Sequence, residues 1–431
     1  MKMSIHSFIG PMIHSTVEGE LFAHENVQID IKSGIIEKVI LNPKLDNIDK
    51  DNVKILKDGQ FLIPGFIDGH IHAVQVPNIG LGYDKPLLDW LQLYIFPLEK
   101  EFKDNKFAEK VFDTVVKRTL QAGTTTACYF ASLYTEASLV LAKKAAMYGQ
   151  RALIGKVNMN NSQVTNYFEN YENSIKETKA FIEGVRNIYS PLVQPIITPR
   201  FALSCDMKLM ELLGDLARKN QMYIQTHISE NAEEVKAVKA HFTEYSSYAA
   251  IYDAAGILTN KTILAHGIHL SDSELAIISK RKSAVIHCPS SNTCLKSGLC
   301  NVRRLQAANI KIGLGTDVSG GSSICILDAM RSALQVSIHL SFSKPEYEPL
   351  NYKEVFHLAT LGGAEALAMN DKIGNFIPGK EFDALVIDLS ASGFAFENMQ
   401  EHSLEQKLQK LIYCGDDRNI VEVYVSGQRV V

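Results

Sequence analysis

Between residue 66 and about residue 341 the chain repeats one unit: a strand-like apolar or β-branched run, followed in most cases by a helix-length amphipathic stretch. The runs are Phe66–His72, Thr124–Phe130, Ala152–Val157, Gln194–Thr198, Tyr223–Ile228, Thr262–His266, Ala284–His287 and Lys311–Thr316. Strands separated by helices require right-handed crossovers and hence a parallel sheet. Eight such units over roughly 250 residues predict an α/β fold, a distorted (β/α)8 TIM barrel. One crossover helix is expected over Phe107–Gln121, with Phe107, Val111, Phe112, Val115, Val116 and Leu120 on one face and Gly123 ending it. A doubly wound sheet is the alternative. It needs a glycine-rich phosphate turn after an early strand, and neither GxGxxG nor GxxxxGK[ST] occurs.

The flanks have a different texture. Val27–Ile31 and Ile35–Ile40 near one end, and Ala384–Ile387 and Val421–Val425 near the other, read as strands without intervening crossover helices. Because chain termini often lie close together, residues 1–64 and 374–431 are expected to join into one small composite β-sandwich beside a barrel of residues 65–373.

The composition, 46% apolar and 21% charged, supplies a sizeable core. A net charge of −4 without long lysine or arginine runs gives no footprint for nucleic acid or an anionic membrane, which favours a small-molecule partner. No run approaches the roughly 20 apolar residues a membrane span needs. The short run Phe8–Ile13 is broken by Pro11 and lacks a basic lead, so the chain is read as cytoplasmic. Seven scattered cysteines fit reduced thiols; Cys288, Cys294 and Cys300 recur every six residues but form no CxxC pair.

Chemistry-bearing residues sit where the strands end. In a parallel barrel that is where side chains from distant segments converge. His70 and His72 close the first run, and their spacing by one residue turns both imidazoles to the same side. His227 closes the fifth, with Glu230 three residues on; His266 closes the sixth and Asp317 follows the eighth. Each taken singly is compatible with an ordinary structural role, and Glu230 with a helix N-terminal charge. Together they offer a set with an open position for zinc or ferrous iron, between which geometry does not choose. A zinc ion would lower the pKa of its water to about 7. The fourth run is followed by Thr198-Pro199-Arg200-Phe201, with no lysine to form a bridging carbamate, so one metal is expected rather than two.

With these residues in view, the sequence resembles the guanine deaminases of the amidohydrolase superfamily. The superfamily pattern lies in PGFIDGHIH (64–72), THISE, LAHG and GLGTD. The narrower match lies in LLDWLQLYIFPLE (87–99), RTLQAGTTTACYFAS (118–132), PIITPRFALSC (195–205), THISEN (226–231), HCPSSN (287–292), GLGTDVSGG (313–321) and GNFIPGKEFDAL (374–385). The resemblance implies one zinc held by His70, His72, His227 and Asp317, and hydrolysis of guanine to xanthine and ammonia. It implies that Asp317 takes a proton from the attacking water, that Glu230 carries protons to ring N3 and then to the leaving amine, and that His266 orients the nucleophile from outside the ligand set. Gln75, Arg200 and Phe201 would meet the purine alongside His227, Glu230 and Asp317. Trp90 either adds an apolar face or simply packs with Leu87, Leu88 and Leu91. The family also implies a homodimer. Val76, after Gln75, departs from the more polar or aromatic residue expected there. His287 is not a family ligand, and His269 is expected to cap or pack near the sixth strand. The rival readings are an amidohydrolase acting on adenine or a triazine, and a barrel that has lost its chemistry and serves as a scaffold.

Overall fold

The computed structural model describes residues 6–44, 52–391 and 400–431; the terminal ranges expected for the β unit also run over residues outside these. Five strands open the chain: β1 (Ser7–Ser15), β2 (Leu21–Lys32), β3 (Ile35–Leu41), β4 (Val53–Ile55) and β5 (Gln60–Pro64). The central region carries β6 (Phe66–His72), β7 (Thr124–Phe130), β8 (Arg151–Gly155), β9 (Val157–Asn158), β10 (Val193–Pro195), β11 (Thr198–Pro199), β12 (Ile224–Ile228), β13 (Thr262–His266), β14 (Ala284–His287) and β15 (Ile312–Leu314). Three more close the chain: β16 (Ala384–Asp388), β17 (Ile420–Val425) and β18 (Gln428–Arg429).

The two ends meet in one mixed sheet of eight strands, ordered β18-β17-β16-β5-β1-β2-β3 with β4 paired to β1. Leu62 of β5 is the joint, lying opposite Met12 on one side and Val386 on the other. The ladders thus run as a single sheet, not as two hydrogen-bonded sheets, because β5 accepts a partner from each terminus. Phe8, Phe382 and Tyr424 form its aromatic core, with Phe8 ring centroids 4.8 and 5.0 Å from the other two. Pro11 is tolerated inside β1 because it sits at the register shift between Gly10 and Met12, where a missing N–H costs no ladder bond.

The central strands form parallel sheets, β10-β8-β7-β6 and β12-β13-β14-β15, with β11 and β9 as a separate pair. Backbone bonds continue from one group to the other: Gln225 N donates to Ile197 O at 2.9 Å and His227 N to Arg200 O at 3.2 Å. On the opposite flank Asp317 N donates to His70 O at 2.8 Å, and His72 N to Val318 O at 3.1 Å. Four of the eight expected runs, those ending in His72, Phe130, His266 and His287, match their strands end to end. Two are broken in two. At Gly155 a Cβ would lie 1.7 Å from the Thr198 hydroxyl, so the ladder gives way there to a side chain reaching in from the neighbouring run.

Helices fill the crossovers. Asn105–Gln121 begins on Asp104, whose side chain accepts from Lys106 N, and buries Val111, Phe112, Val115, Val116 and Leu120. Gly123 ends this crossover at φ +83°, a region open to glycine, and leads directly into β7. The terminal sheet is tied to the central strands by Arg151, buried against Asp383 at 3.0 Å and Glu381 at 2.9 Å. No helix among the described residues is long and apolar enough to cross a membrane.

Candidate active site

All five strand-end residues arrive at one place. His70 and His72 alternate along β6, while His227, one residue before the end of β12, and His266, the last residue of β13, lie one register step apart on adjacent strands, with Ile228 opposite His266. Asp317 follows β15. His266 and Asp317 have φ of +74° and +48°, conformations that non-glycine residues rarely adopt. Surrounding hydrogen bonds hold that strain, which turns both side chains into the site. Asp68 supplies part of the frame: it is fully buried and accepts from His70 N at 3.2 Å, Thr316 N at 3.1 Å and the Thr316 hydroxyl at 2.5 Å. One carboxylate therefore joins the two strands that carry His70, His72 and Asp317.

The two oxygens of Asp317 face different groups. Oδ1 lies 3.1 Å from His70 Nε2 and 3.4 Å from His72 Nε2, and His72 Nε2 lies 3.1 Å from His227 Nε2. Oδ2 lies 3.7 Å from His266 Nε2, which is also 3.5 Å from Glu230 Oε2. A compact set whose donor atoms all lie within 4.8 Å of one another comprises His70, His227, His266 and Asp317. His72, placed by sequence among the ligands, is outside that set yet touches the same carboxylate oxygen as His70.

These residues fit a metal. Nε2 of His70 and of His266 are buried without a hydrogen-bond partner, a costly condition for polar atoms unless something else satisfies them. The separations of 3.1 to 3.4 Å among His70, His72, His227 and Asp317 Oδ1 suit donors around one ion at about 2.1 Å. Ring tautomers agree. His227 Nδ1 contacts Arg200 O at 2.6 Å, and a carbonyl only accepts, so Nδ1 carries the proton and Nε2 keeps its lone pair. His266 Nδ1 contacts Asn292 Oδ1 at 2.8 Å, with the same consequence. Burial, reinforced by the neighbouring His70, holds His72 and His227 well below the usual imidazole range, leaving them neutral and able to bind.

The carboxyls are driven apart. Burial, aided by the charge of Asp317, pushes Glu230 well above the usual range and favours its protonated form. Burial alone would do the same to Asp317, but its contact with His70 at 3.1 Å, followed by the nearby His266, outweighs it and holds the group below the usual carboxylate range. Two carboxyl groups shifted in opposite directions, both facing His266 Nε2 at 3.5 and 3.7 Å, are suited to give and to take protons.

A cavity opens over this centre. His72, Gln75, Trp90, Arg200, Phe201, His227, Glu230 and Asp317 all line it, joined by Leu87, Leu91, Glu234 and Leu295. His70 and His266, 1% and 0% exposed, are not part of its wall. Trp90 is buried and donates from Nε1 to Leu81 O at 2.9 Å, so it both packs and lines. Val76 is outside the lining. Several residues at the site escaped the sequence reading. Glu99 is fully buried and accepts from both terminal nitrogens of Arg200 and from Gln75. Glu234 accepts from Glu230 N at 2.9 Å and from the Tyr248 hydroxyl at 2.8 Å. The motif Asn231-x-x-Glu234 was a legible capping-box signal for the latter; for Glu99 the signal was its place at the end of the LLDWLQLYIFPLE segment (87–99), which gave it no role. His287 is fully buried with neither ring nitrogen hydrogen-bonded, and burial followed by the nearby His266 lowers it to about 3. His269 packs as expected, its Nε2 on Ser297 O at 2.8 Å. Cys288, Cys294 and Cys300 join no metal-compatible cluster among the described residues.

Known proteins share both the fold and the sequence. Mouse guanine deaminase (Mus musculus) is 48% identical over 88% of this chain and 85% of its own length, and guanine deaminase of Dictyostelium discoideum is 42% identical over 99% and 98%. The crystal structure of guanine deaminase from C. acetobutylicum, with bound guanine in the active site, superposes with a TM-score of 0.93 at 34% identity, covering 99% of each chain. The Amidohydrolase family model matches residues 61–430, from the strand before the His70–His72 pair through the last strand of the terminal sheet. With histidines and a carboxylate gathered at the ends of parallel strands and this match over most of its length, the chain belongs to the amidohydrolase family.

Proposed function

We propose that this chain is a zinc-dependent guanine deaminase, converting guanine and water to xanthine and ammonia. The observation that carries the reading is the meeting of His70, His72, His227 and Asp317 Oδ1 behind a cavity walled by Gln75, Arg200 and Phe201. The relatives named guanine deaminase, and the solved relative with guanine in its active site, support the substrate.

In this reading His70, His72, His227 and Asp317 hold the ion, and His266 stands beside it with Glu230. The division of Asp317 supports that choice, since Oδ1 faces the first two histidines and Oδ2 faces His266 at a longer distance. Zinc supplies Lewis acidity and a water ionised near neutral pH; ferrous iron suits the same donors. Asp317, ionised, accepts the proton of the attacking water. Glu230, protonated, gives its proton to ring N3 as C2 becomes tetrahedral; the resulting carboxylate takes the proton of the new C2 hydroxyl and passes it to the amine as the C–N bond breaks, and the proton held by Asp317 then restores Glu230. His266, its Nδ1–H engaged by Asn292, directs Nε2 toward both carboxyl groups and orients the nucleophile. Arg200 and Gln75 meet the lactam and imidazole edges of the purine, while Phe201 and Trp90 bound its faces.

The same reading takes the central strands as a closed eight-stranded barrel, supported by the backbone bonds from Asp317 to His70 and from Gln225 to Ile197. It keeps residues 65–373 as the barrel, and 1–64 with 374–431 as a composite β-sandwich coiled about the Phe8, Phe382 and Tyr424 cluster. The protein works as a cytoplasmic homodimer in purine breakdown. Metal-loaded protein given guanine should consume its absorbance and release ammonia. Unchanged spectra, with about one equivalent of metal bound, would refute the substrate.

A further inference from the structure

We infer that Glu99 is a positioning residue of the purine pocket: it cancels the charge of Arg200 and fixes the amide of Gln75, so that the pocket reads a neutral purine and turns away purine anions. The inference rests on the guanine reading above and adds to it what sets the selectivity.

Glu99 lies on the helix Phe96–Glu101, fully buried, and makes three hydrogen bonds to residues of the cavity wall. Its Oε2 accepts from Arg200 Nη1 at 2.6 Å, and its Oε1 accepts from Arg200 Nη2 at 3.0 Å and from Gln75 Nε2 at 3.0 Å. The fork contact holds the guanidinium in one plane, and the guanidinium also lies 5.2 Å from the centre of the Phe96 ring. On the other side of the amide, Gln75 Oε1 accepts from Ser319 N at 3.2 Å. A carboxylate accepts only and a backbone N–H donates only, so the two contacts leave Gln75 a single orientation. Wall and reader are therefore set before a ligand enters. Gln75 keeps one N–H and one lone pair to offer, and Arg200 keeps its remaining N–H groups.

The charge consequence follows from the same distances. An unpaired guanidinium at a buried pocket wall would draw in anions; one matched at 2.6 and 3.0 Å by a carboxylate does not. The other titratable neighbours that feel Arg200 are Tyr167, Asp317, Glu230 and His72; the last three lie on the reaction side and are committed to the metal and to proton transfer. This matters for turnover because deamination replaces an amine by a second lactam carbonyl, and xanthine ionises more readily than guanine. A neutral reader lets the ionised product go.

The test uses metal-loaded wild type, Glu99→Gln and Glu99→Asp. Guanine kinetics are measured together with inhibition by xanthine and by urate, on either side of the first ionisation of xanthine. In the wild type, xanthine should inhibit about 10-fold more weakly once ionised. In Glu99→Gln the trend should invert, with the anions binding about 10-fold tighter than to wild type and guanine KM rising about 10-fold, more than kcat falls; a charged hydrogen bond is worth roughly that factor or more. Glu99→Asp should keep the exclusion of anions while raising KM. A folded Glu99→Gln with the wild-type pH profile would overturn the inference. If that variant does not fold, as read by metal content and thermal unfolding, the wild-type profile decides, since ionised xanthine binding as tightly as the neutral form also overturns it. If wild type fails to turn over guanine, the function is wrong, and calorimetry with xanthine and urate still tests Glu99 by itself.

Discussion

The metal rim and the purine wall are built on opposite principles. On the rim, buried polar atoms are left unmet: His70 Nε2, His266 Nε2 and His72 Nδ1 make no hydrogen bond, and bare imidazole nitrogens crowd one carboxylate. On the wall, a few ångströms away, Arg200, Glu99 and Gln75 satisfy one another with three short contacts. Unmet valence inside a protein is expensive unless an ion completes it, whereas a paired network is self-sufficient and rigid. The difference teaches that the rim depends on its cofactor for stability as well as for chemistry, and the wall does not.

Removing the metal is the strongest way to break this contrast. Chelation should abolish turnover and lower the unfolding temperature, both restored by zinc; an ion at 100 times its Kd stabilises the native state by about 2.7 kcal/mol. A chelated protein that melts as before would mean the rim needs no ion. Next comes Glu230→Gln, which should lower kcat by about 10² to 10⁴-fold with metal content unchanged, because a carboxamide relays no protons. Metal analysis beside steady-state rates checks it, and near-normal turnover would remove Glu230 from the proton path. On the wall, Arg200→Met should destabilise the fold by about 3–5 kcal/mol in urea titrations, since it strands a fully buried carboxylate. A mild effect there would show the wall is less self-sufficient than its contacts indicate.

Two smaller effects sharpen the boundary of the comparison. His14, buried in the terminal sheet with Phe376 N donating to its Nδ1 at 3.1 Å, is lowered to about 4 by burial and then by Lys380. The folded state therefore resists its protonation. Its contribution, up to about 3 kcal/mol, is complete above the unfolded value near 6.5 and fades as pH falls toward 4. His14→Asn should flatten stability measured across that window, separating acid loss in the terminal sheet from acid loss at the rim. Smallest is Trp90→Phe, which removes the bond to Leu81 O and about 1 kcal/mol with it. It should raise guanine KM a few-fold and leave metal content alone.

The rim was readable in the chain because its logic is local. Its histidines lie at or near the ends of three apolar runs whose period marks a strand, and two of those runs, Phe66–His72 and Thr262–His266, match their strands residue for residue. The wall was only half readable. Arg200 and Phe201 follow a strand and were found, but the acid that fixes Arg200 lies 101 positions earlier, on a short helix in a run that reads as packing. Likewise the breaks at Gly155 and the single sheet joined through Leu62 come from partners remote in sequence.

From its residues alone the chain determined which segments extend, which coil, and which donor types stand at the strand ends, since periodicity and spacing act over a few residues. Which oxygen of Asp317 each histidine faces, which protonation state Glu230 keeps, and which carboxylate neutralises Arg200 were decided by the tertiary structure, because burial and charge pairing arise only when distant strands and helices are brought within hydrogen-bond reach.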